Sequence, residues 1–486
     1  MRTIIIQDLN YFDHLSDFCA DLINMVLSKT EDHSLLEDCL KTLSTQTFGQ
    51  GETAAARIVA GFLEEMSVKA PRHVLRLLSY LVPHLDTDSH TLRMAVVQVF
   101  GNLVKSMSTS LPDDRDQVNL QSIMDTLEER FRDVNSFVRA RVLAVHTDLI
   151  KEQALPVSRR NRIVGHACER VMDKSSTVRK RAVQLLGELI RAHPFGVDGG
   201  ELDGELFRRK LAVIERAIGD MDISDQHAAP RSSLGNATTI FMQQKYYSDA
   251  IAFCEQLEKV MPWLASLLQS NVKTEVFEVI DFFVDAVNYK IRGAEEGVRR
   301  MVHLIWEKDL TSEDGVKRSV KDHVVDSYKR IYVDADERLS LKEKCLYTAN
   351  SLVSLISQST QSELTSIDEL MQIFVKRQVI PEIVVQAVFA ILQDPHSPPI
   401  QKRSSMALLA MLSKADKRIV EKRLDGIVKV GLKSGDDPLL SQYCFQALQS
   451  IALVSENEDL VRLPNDNVLF TRTCDYIRLY CLGTEW

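Results

Sequence analysis

Two stretches decide the fold: Asp133-Val-Asn-Ser-Phe-Val-Arg-Ala-Arg-Val-Leu143 and Asp173-Lys-Ser-Ser-Thr-Val-Arg-Lys-Arg-Ala-Val183. In each, the Asp is followed by Val five residues later, by Arg six residues later and then by an apolar pair. The two stretches are 40 residues apart, and an earlier copy places Arg93 46 residues before Arg139. This recurrence indicates that the chain is built from one repeated unit.

The repeated unit has the periodicity of a pair of helices. Within the earlier copy, Leu92, Val96, Val99 and Leu103 fall on one helical face. Gly and Pro, which break helices, account for only 19 and 13 of the 486 residues. A period of about 40 to 47 residues with two helices per unit is typical of HEAT or armadillo repeats. We therefore expect an all-α protein, an α-solenoid of about 11 or 12 HEAT repeats that stack into a curved right-handed superhelix.

The Asp and Arg of the repeat have a structural interpretation. Asp133 and Asp173 precede the second helix of their units, where a carboxylate can accept hydrogen bonds from free backbone N–H groups. Arg139 and Arg179 lie inside that helix and can reach the Asp of their own or of the neighbouring repeat. We expect these four residues to form structural pairs.

One segment interrupts the repeats. Residues 194–236 are rich in Gly and contain the polar stretch Ser224-Asp-Gln-His-Ala-Ala-Pro-Arg-Ser-Ser233. Such composition is typical of a connection between repeats. The sequence predicts an N-terminal arm over 1–193, a partly flexible insertion over 194–236 and a C-terminal arm over 237–486.

The sequence shows no chemistry of its own. The eight cysteines are scattered without metal-ligand spacing, which is typical of a reduced compartment. No stretch is apolar enough to span a membrane, and none of the motifs HExxH, GxSxG or GxGxxG occurs. We expect a protein that is not an enzyme, with no cofactor, metal site, membrane contact or small-molecule substrate. Trp306 lies in an apolar run and is expected to be buried between repeats.

Charge is unevenly distributed. The chain has a net charge of −9, but residues 130–191 contain fourteen basic and six acidic residues, and eleven of the fourteen are Arg. The guanidinium group suits contact with phosphate, so this stretch predicts a site for double-stranded DNA. The alternative is a solvated helix face whose cations pair with acids inside the repeats. We assign Arg139 and Arg179 to such pairs. The predicted DNA-binding residues are Arg141, Arg159, Arg160, Arg162, Lys180 and Arg181.

The two repeats, together with Met301-Val-His-Leu-Ile-Trp-Glu-Lys-Asp309 and Gly315-Val-Lys-Arg-Ser-Val320, resemble the central HEAT region of the condensin complex subunit 1 family. These are the non-SMC regulatory subunits of condensin I. The resemblance covers most of the chain and is most specific over 133–190. Because family members are far longer, it implies that the chain is a central fragment.

The resemblance implies a non-catalytic scaffold in mitotic chromosome condensation. In that family the ATPase belongs to the SMC subunits, a kleisin chain binds along the solenoid, and the solenoid helps to hold DNA beside an SMC head. It also implies a location in the nucleus and on chromosomes, with a cytoplasmic pool. The alternative is a HEAT-repeat scaffold for protein cargo or for a phosphatase, which would not bind DNA.

Overall fold

The structure is a computed structural model that describes residues 1–30, 33–49, 53–108, 114–224, 233–307, 319–335, 338–432, 437–452 and 468–478. Within these ranges every regular element is helical. The prediction of an all-α solenoid built from helix pairs is confirmed for the part of the chain that is described. The right-handed curvature of the superhelix stays a prediction.

The described ranges contain 23 α-helices. Their bounds are α1 Arg2–Tyr11, α2 Ser16–Thr30, α3 Ser34–Ser44, α4 Ala54–Lys69, α5 Pro71–Arg76, α6 His90–Ser108, α7 Asp114–Glu129, α8 Ser136–Lys151, α9 Arg160–Arg170, α10 Ser176–Arg191, α11 Gly204–Ser224, α12 Ser233–Leu267, α13 Lys273–Asn288, α14 Ala294–Met301, α15 Val320–Tyr332, α16 Leu341–Gln358, α17 Gln361–Lys376, α18 Glu382–Gln393, α19 Pro399–Ser413, α20 Arg418–Glu421, α21 Leu424–Gly431, α22 Pro438–Ala452 and α23 Val468–Tyr476. Short 3₁₀ segments cover Asp13–Leu15, Leu78–Tyr80, Val82–Asp86, Arg130–Arg132, Val157–Arg159 and Val302–Trp306.

The turn before each second helix is held by the repeated Asp. The Asp133 carboxylate accepts a hydrogen bond of 2.8 Å from the N–H of Asn135, and Asp173 accepts one of 3.0 Å from the N–H of Ser175. The N-cap position of α8 belongs to Asn135, whose side chain accepts from the N–H of Phe137. The Asp therefore fixes the turn that precedes the helix, one step earlier than the capping role expected from the sequence.

The helices of the N-terminal unit form two layers. The second helices of the repeats pack on one another in the order α4, α6, α8, α10 and α13. Each buries apolar side chains, for example Val96 on α6, Leu143 on α8 and Leu186 on α10. The first helices α7, α9 and α12 form the other layer, with α9 packed on both α10 and α12. The exposed side chains of α9 therefore lie in a different layer from those of α8 and α10.

Gly101 allows α6 and α8 to approach closely. A Cβ atom at Gly101 would lie 2.5 Å from a methyl carbon of the buried Val145 on α8. Gly101→Ala should therefore lower the free energy of unfolding by about 1 kcal/mol, since overpacking outweighs the gain in helix propensity. The matched control is Gly61→Ala in α4, where the new Cβ would meet only Ser16 at 3.6 Å. That variant should gain about 0.5 kcal/mol in a urea titration. Changes of the same sign would contradict the close approach.

The chain divides into two compact units, Met1–Ala294 and Glu295–Trp486. This division differs from the predicted boundaries at 193 and 236. Phe195 is buried against Phe253, and the N–H of Leu202 donates to the carbonyl of Tyr289 at 2.7 Å. The segment that follows residue 193 is thus held inside the N-terminal unit, and residue 236 lies within α12. The part of the predicted insertion over 225–232 lies outside the described residues.

The C-terminal unit repeats the same pairing of helices. The Arg403 guanidinium on α19 pairs with Asp437, which precedes α22, at 2.7 Å. Trp306 differs from expectation: it is 55% exposed, and its indole N–H donates to the Ser366 hydroxyl at 2.9 Å. The hydrogen bond fixes the indole at the surface, because a polar partner satisfies its N–H without burial of the ring.

Candidate nucleic-acid surface

A row of arginines links each repeat to the next. The Arg93 guanidinium binds both carboxylate oxygens of Asp133 at 3.0 and 3.1 Å. Arg139 binds both oxygens of Asp173 at 2.8 Å. Each Arg also donates to carbonyls in the turn of its own repeat, at Thr87 and Asp133 respectively. We call this row the arginine ladder; its Arg pairs with the Asp of the following repeat and not with its own.

The ladder continues through a substitution of partners. In the next unit, Ser270 occupies the position equivalent to Asp133 and Asp173. Arg179 therefore has no Asp partner there and binds the fully buried Glu275 instead, at 2.6 and 3.0 Å. The Ser270 hydroxyl accepts from the N–H of Val272 and donates to Glu275. Ser270 and Glu275 together replace the Asp of the other repeats: Ser270 fixes the turn, and Glu275 neutralises the Arg179 cation. The repeat motif could not reveal this, because Glu275 stands where the motif has Val.

A second row of ion pairs crosses the other ends of the same helices. Lys105 on α6 pairs with Glu152 at 2.8 Å, and Lys151 on α8 pairs with Glu188 at 3.6 Å. Arg191 on α10 pairs with Asp285 on α13. Neighbouring carboxylates therefore offset much of the positive charge of Lys151 and Arg191. The positive charge of residues 130–191 that stays unpaired in the folded structure is smaller than the excess of basic residues counted along the sequence.

Arg159 is enclosed by acidic side chains, which disfavours its predicted contact with DNA. It is 7% exposed and its guanidinium binds Glu128 at 3.0 Å and Asp125 on α7. The cation is enclosed because α9 begins against the acidic face of α7. Arg162 on the next turn is exposed, but its guanidinium lies 2.7 Å from Glu128. Both residues therefore join two first helices, where their charge is neutralised.

Arg160 is also removed from the predicted set. Its guanidinium donates to the carbonyl of Ala192 at the C-terminal end of α10. Burial lowers the pKa of this guanidinium, and its Nε is buried without a partner. Orphan carbonyls at a helix end attract cations, which explains the position of Arg160. Its role is to hold α9 against α10.

Arg141, Lys180 and Arg181 remain as candidates. They lie on the adjacent second helices α8 and α10, and Arg141 and Arg181 occupy the same position of the repeat, two residues after a ladder Arg. Their hydrogen bonds go to glutamine amides: Arg141 to Gln98 at 3.3 Å and Arg181 to Gln184 at 2.9 Å. These amides leave the positive charge in place. We call these three residues the inner cation group.

Two acids lie close to the inner cation group: Glu64 on α4, beside Arg141, and Glu278 on α13, which accepts a hydrogen bond of 2.6 Å from Gln184. Burial raises the pKa of Glu64, and the Arg141 cation acts in the opposite direction. Glu64 is therefore easier to protonate than an ordinary Glu. The six predicted residues do not form one surface, since Arg159, Arg160 and Arg162 belong to the layer of first helices. The surface that survives is smaller and lies on α8 and α10.

Among the described residues, no group of three or more His, Cys, Asp or Glu could hold a metal ion, and no helix is long and apolar enough to cross a membrane. Burial raises the pKa of Cys168, Cys254 and Cys444 to about 12. A thiol with a raised pKa is a poor nucleophile at neutral pH. These cysteines therefore act as small apolar core residues.

The chain is similar to one known family model over part of its length and to solved helical structures over most of it. Residues 86–195, which contain the arginine ladder and the inner cation group, match the family model "Sister chromatid cohesion protein PDS5 protein". Among solved structures, importin beta covers 93% of the chain and shares 11% identity, with a TM-score of 0.45 over 51% of its own length.

Curated relatives match the chain over nearly all of its length. Condensin complex subunit 1 of Schizosaccharomyces pombe is 27% identical over 100% of the chain and 46% of its own length. The Saccharomyces cerevisiae protein is 26% identical over 89% of the chain, and the human protein is 22% identical over 96%. The chain spans less than half the length of these relatives. The resemblance seen in the sequence is confirmed: the chain is similar over nearly all of its length to condensin complex subunit 1 proteins.

Proposed function

We propose that the chain is a non-catalytic HEAT-repeat regulatory subunit of condensin that binds the kleisin subunit and double-stranded DNA during mitotic chromosome condensation. The observation that carries this proposal is its similarity, over 89 to 100% of its length, to the condensin complex subunit 1 of two yeasts. The chain supplies binding surface, and the SMC ATPase heads supply the chemistry. It acts in the nucleus and on chromosomes, with a cytoplasmic pool.

DNA binding is proposed for the inner cation group. Packed helices lie about 8 to 10 Å apart, so Arg141 and Arg181 project their charges roughly 10 Å from each other. Each strand of duplex DNA carries one phosphate for about every 3.4 Å of helix axis, so two guanidinium groups about 10 Å apart can each contact a phosphate of the same stretch of backbone. Both groups contact backbone and not bases, so binding has no sequence preference. The net charge of −9 confines the contact to this surface.

Reversal of the inner cation group tests this proposal. The combined variant Arg141→Glu, Lys180→Glu and Arg181→Glu should bind duplex DNA more weakly than wild type, and the difference should be largest at low salt. Three phosphate contacts make the fall of log affinity with log salt concentration steeper by about 2.7, and the variant should lose this contribution to the slope. Fluorescence anisotropy with a labelled duplex over a range of salt concentrations measures both quantities.

The matched control carries the same change of charge elsewhere in the N-terminal unit. Lys41, Arg72 and Arg76 are exposed, and their reversal to Glu should leave the salt slope unchanged. Equal losses in both variants would show that net charge, and not this surface, attracts DNA. Wild-type protein that captures the kleisin chain but shows no salt-dependent DNA binding would support the scaffold without DNA instead. Failure to capture kleisin would contradict the condensin assignment.

A further inference from the structure

His193, the second residue after the end of α10, binds both ends of a loop that folds back on it. Its Nδ1 atom accepts a hydrogen bond of 3.0 Å from the N–H of Phe195, and its Nε2 atom lies 3.0 Å from the carbonyl oxygen of Gly200. A backbone N–H group only donates, so Nδ1 must present its lone pair and Nε2 must carry the proton. The neutral imidazole in this tautomer satisfies both partners at once.

The loop belongs to the connecting segment, residues 194–203, which joins α10 to α11. Phe195 in this segment is 5% exposed, and its ring lies 5.5 Å from that of Phe253 on α12. Gly200 has a φ of +81°, a left-handed conformation that Gly adopts freely and that lets the backbone turn back towards the imidazole. The two hydrogen bonds of His193 therefore hold the connecting segment closed on α12.

The surroundings of the imidazole disfavour a positive charge on it. The ring of Phe195 stacks on the half-buried imidazole, and the ring of Tyr289 lies edge-on at 5.3 Å between centroids. The Arg160 guanidinium on α9, which donates to the carbonyl of Ala192, adds a cation nearby. Burial, aided by the Arg160 cation, lowers the pKa of His193, although the hydrogen bond with Gly200 acts in the opposite direction. Further titratable groups around the loop are Tyr246 and Tyr247 of α12 and the ion pairs Arg191–Asp285, Lys210–Asp198 and Lys290–Glu201.

A second proton on His193 would remove the acceptor of the loop. The imidazolium carries an N–H on both ring nitrogens, so its Nδ1–H would face the N–H of Phe195, donor against donor. The new positive charge would also lie beside the Arg160 guanidinium. Once the loop opens, neither obstacle remains, because the imidazole is then surrounded by water. Protonation and the closed loop therefore exclude each other.

We propose that His193 is a pH-sensitive switch: its neutral imidazole holds the connecting segment closed on α12, and protonation of the imidazole opens it. The open segment exposes the ring of Phe195 and loosens the connection between α10 and α11. The inference concerns contacts within the N-terminal unit and is independent of the proposed function.

The direction of the pH effect follows from the difference between the two forms. The open form binds a proton near the ordinary pKa of a His, about 6.5, whereas the closed form binds it only at a lower pH. Closure is therefore fully favoured above about pH 6.5. Below that value its equilibrium constant falls by up to about tenfold for each pH unit, until the lowered pKa of the closed form is reached.

Hydrogen exchange of the full chain, followed by mass spectrometry and corrected for the intrinsic pH dependence of amide exchange, tests the switch. Between about pH 7.5 and about pH 5.5, the protection factor of wild-type peptides within 194–203 should fall roughly fivefold or more, while peptides from α8 keep theirs. In His193→Asn the side-chain oxygen still accepts from an N–H two residues further on, but it does not titrate, so protection should not depend on pH. His193→Phe has no acceptor and should lose protection at both pH values.

The matched control is His33→Asn, which replaces an exposed histidine of the same unit and should keep the wild-type pH dependence. Circular dichroism checks that each variant stays folded. Wild-type protection of 194–203 that does not change with pH would overturn the inference, and so would a His193→Asn variant with the wild-type pH dependence. An equal loss of protection in α8 would show that acid unfolds the whole unit, which contradicts a local switch.

Discussion

Arg139→Ala is expected to lower the free energy of unfolding of the N-terminal unit by about 3 kcal/mol. The substitution leaves the Asp173 carboxylate, whose side chain is 3% exposed, without its bidentate partner. It also removes the donor to the carbonyls of Asp133 and Val134. Arg170, 3.4 Å from Asp173, would compensate the buried charge only in part, and a poorly compensated buried charge costs more than the pair itself contributes. Urea titration followed by circular dichroism measures the loss.

The matched control for this prediction is Lys151→Ala on the same helix. Lys151 also pairs with the following repeat, but its side chain is 55% exposed, so its loss should cost less than about 1 kcal/mol. Hydrogen exchange should rise at the start of α10 in Arg139→Ala and stay unchanged in Lys151→Ala. Equal effects would mean that the arginine ladder contributes no more than an ordinary surface pair.

The same variant should respond differently to acid. Burial opposes ionisation of Asp173, but hydrogen bonds from Arg139 and from the N–H of Ser175 outweigh it and lower the pKa of Asp173. The resulting stabilisation is complete above the ordinary pKa of an Asp and is lost as the pH falls through the lowered value. Without Arg139 the largest contribution that lowers this pKa is lost, so the pKa of Asp173 should be higher in the variant than in wild type. Acidification from neutral pH should therefore destabilise Arg139→Ala less than wild type.

Arg159→Ala is expected to lower the free energy of unfolding by about 2 kcal/mol and to leave DNA affinity unchanged. Its side chain is 8% exposed and holds α9 to the acidic side chains Asp125 and Glu128 of α7. The remaining contact between Arg162 and Glu128 limits the loss. Thermal unfolding and DNA titration of the same protein samples give both values.

Arg181→Ala provides the opposite case. Arg181 is exposed and bonds a glutamine on its own helix, so its removal should change stability by less than about 0.5 kcal/mol. DNA affinity should fall, and the salt slope should drop by about 0.9 for the lost phosphate contact. If Arg159→Ala weakened DNA binding and Arg181→Ala did not, the inner cation group would be the wrong surface.

The variants Arg159→Ala and Arg181→Ala together distinguish the charge counted along the sequence from the charge that stays unpaired in the folded structure. Residues 130–191 carry a large basic excess, yet both rows of ion pairs draw on it. Repeat proteins place equivalent residues of successive units side by side, so a basic position beside an acidic one forms a pair in every repeat. What remains for a partner is a small set of cations, of which Arg141 and Arg181 donate hydrogen bonds to glutamine amides.

Several features were predictable because they depend on local order along the chain. Helical periodicity, the spacing of 40 residues between Asp133 and Asp173, and the Asp before each second helix are all visible in the sequence. Each helix is fixed by side chains within a few residues of one another, so local sequence suffices. The family resemblance is of the same kind, since it depends on the order of residues.

The candidate surface was less predictable because it depends on residues distant in sequence. Nothing near Arg179 indicates Glu275, 96 residues away, as its partner, and nothing near Arg160 indicates the carbonyl of Ala192. Periodicity predicts which face of a helix is buried. Whether a charge is neutralised depends on which side chain of another helix lies within about 3 Å of it. That pairing is set by the stacking of repeats, and the stacking therefore leaves Arg141, Lys180 and Arg181 as the inner cation group.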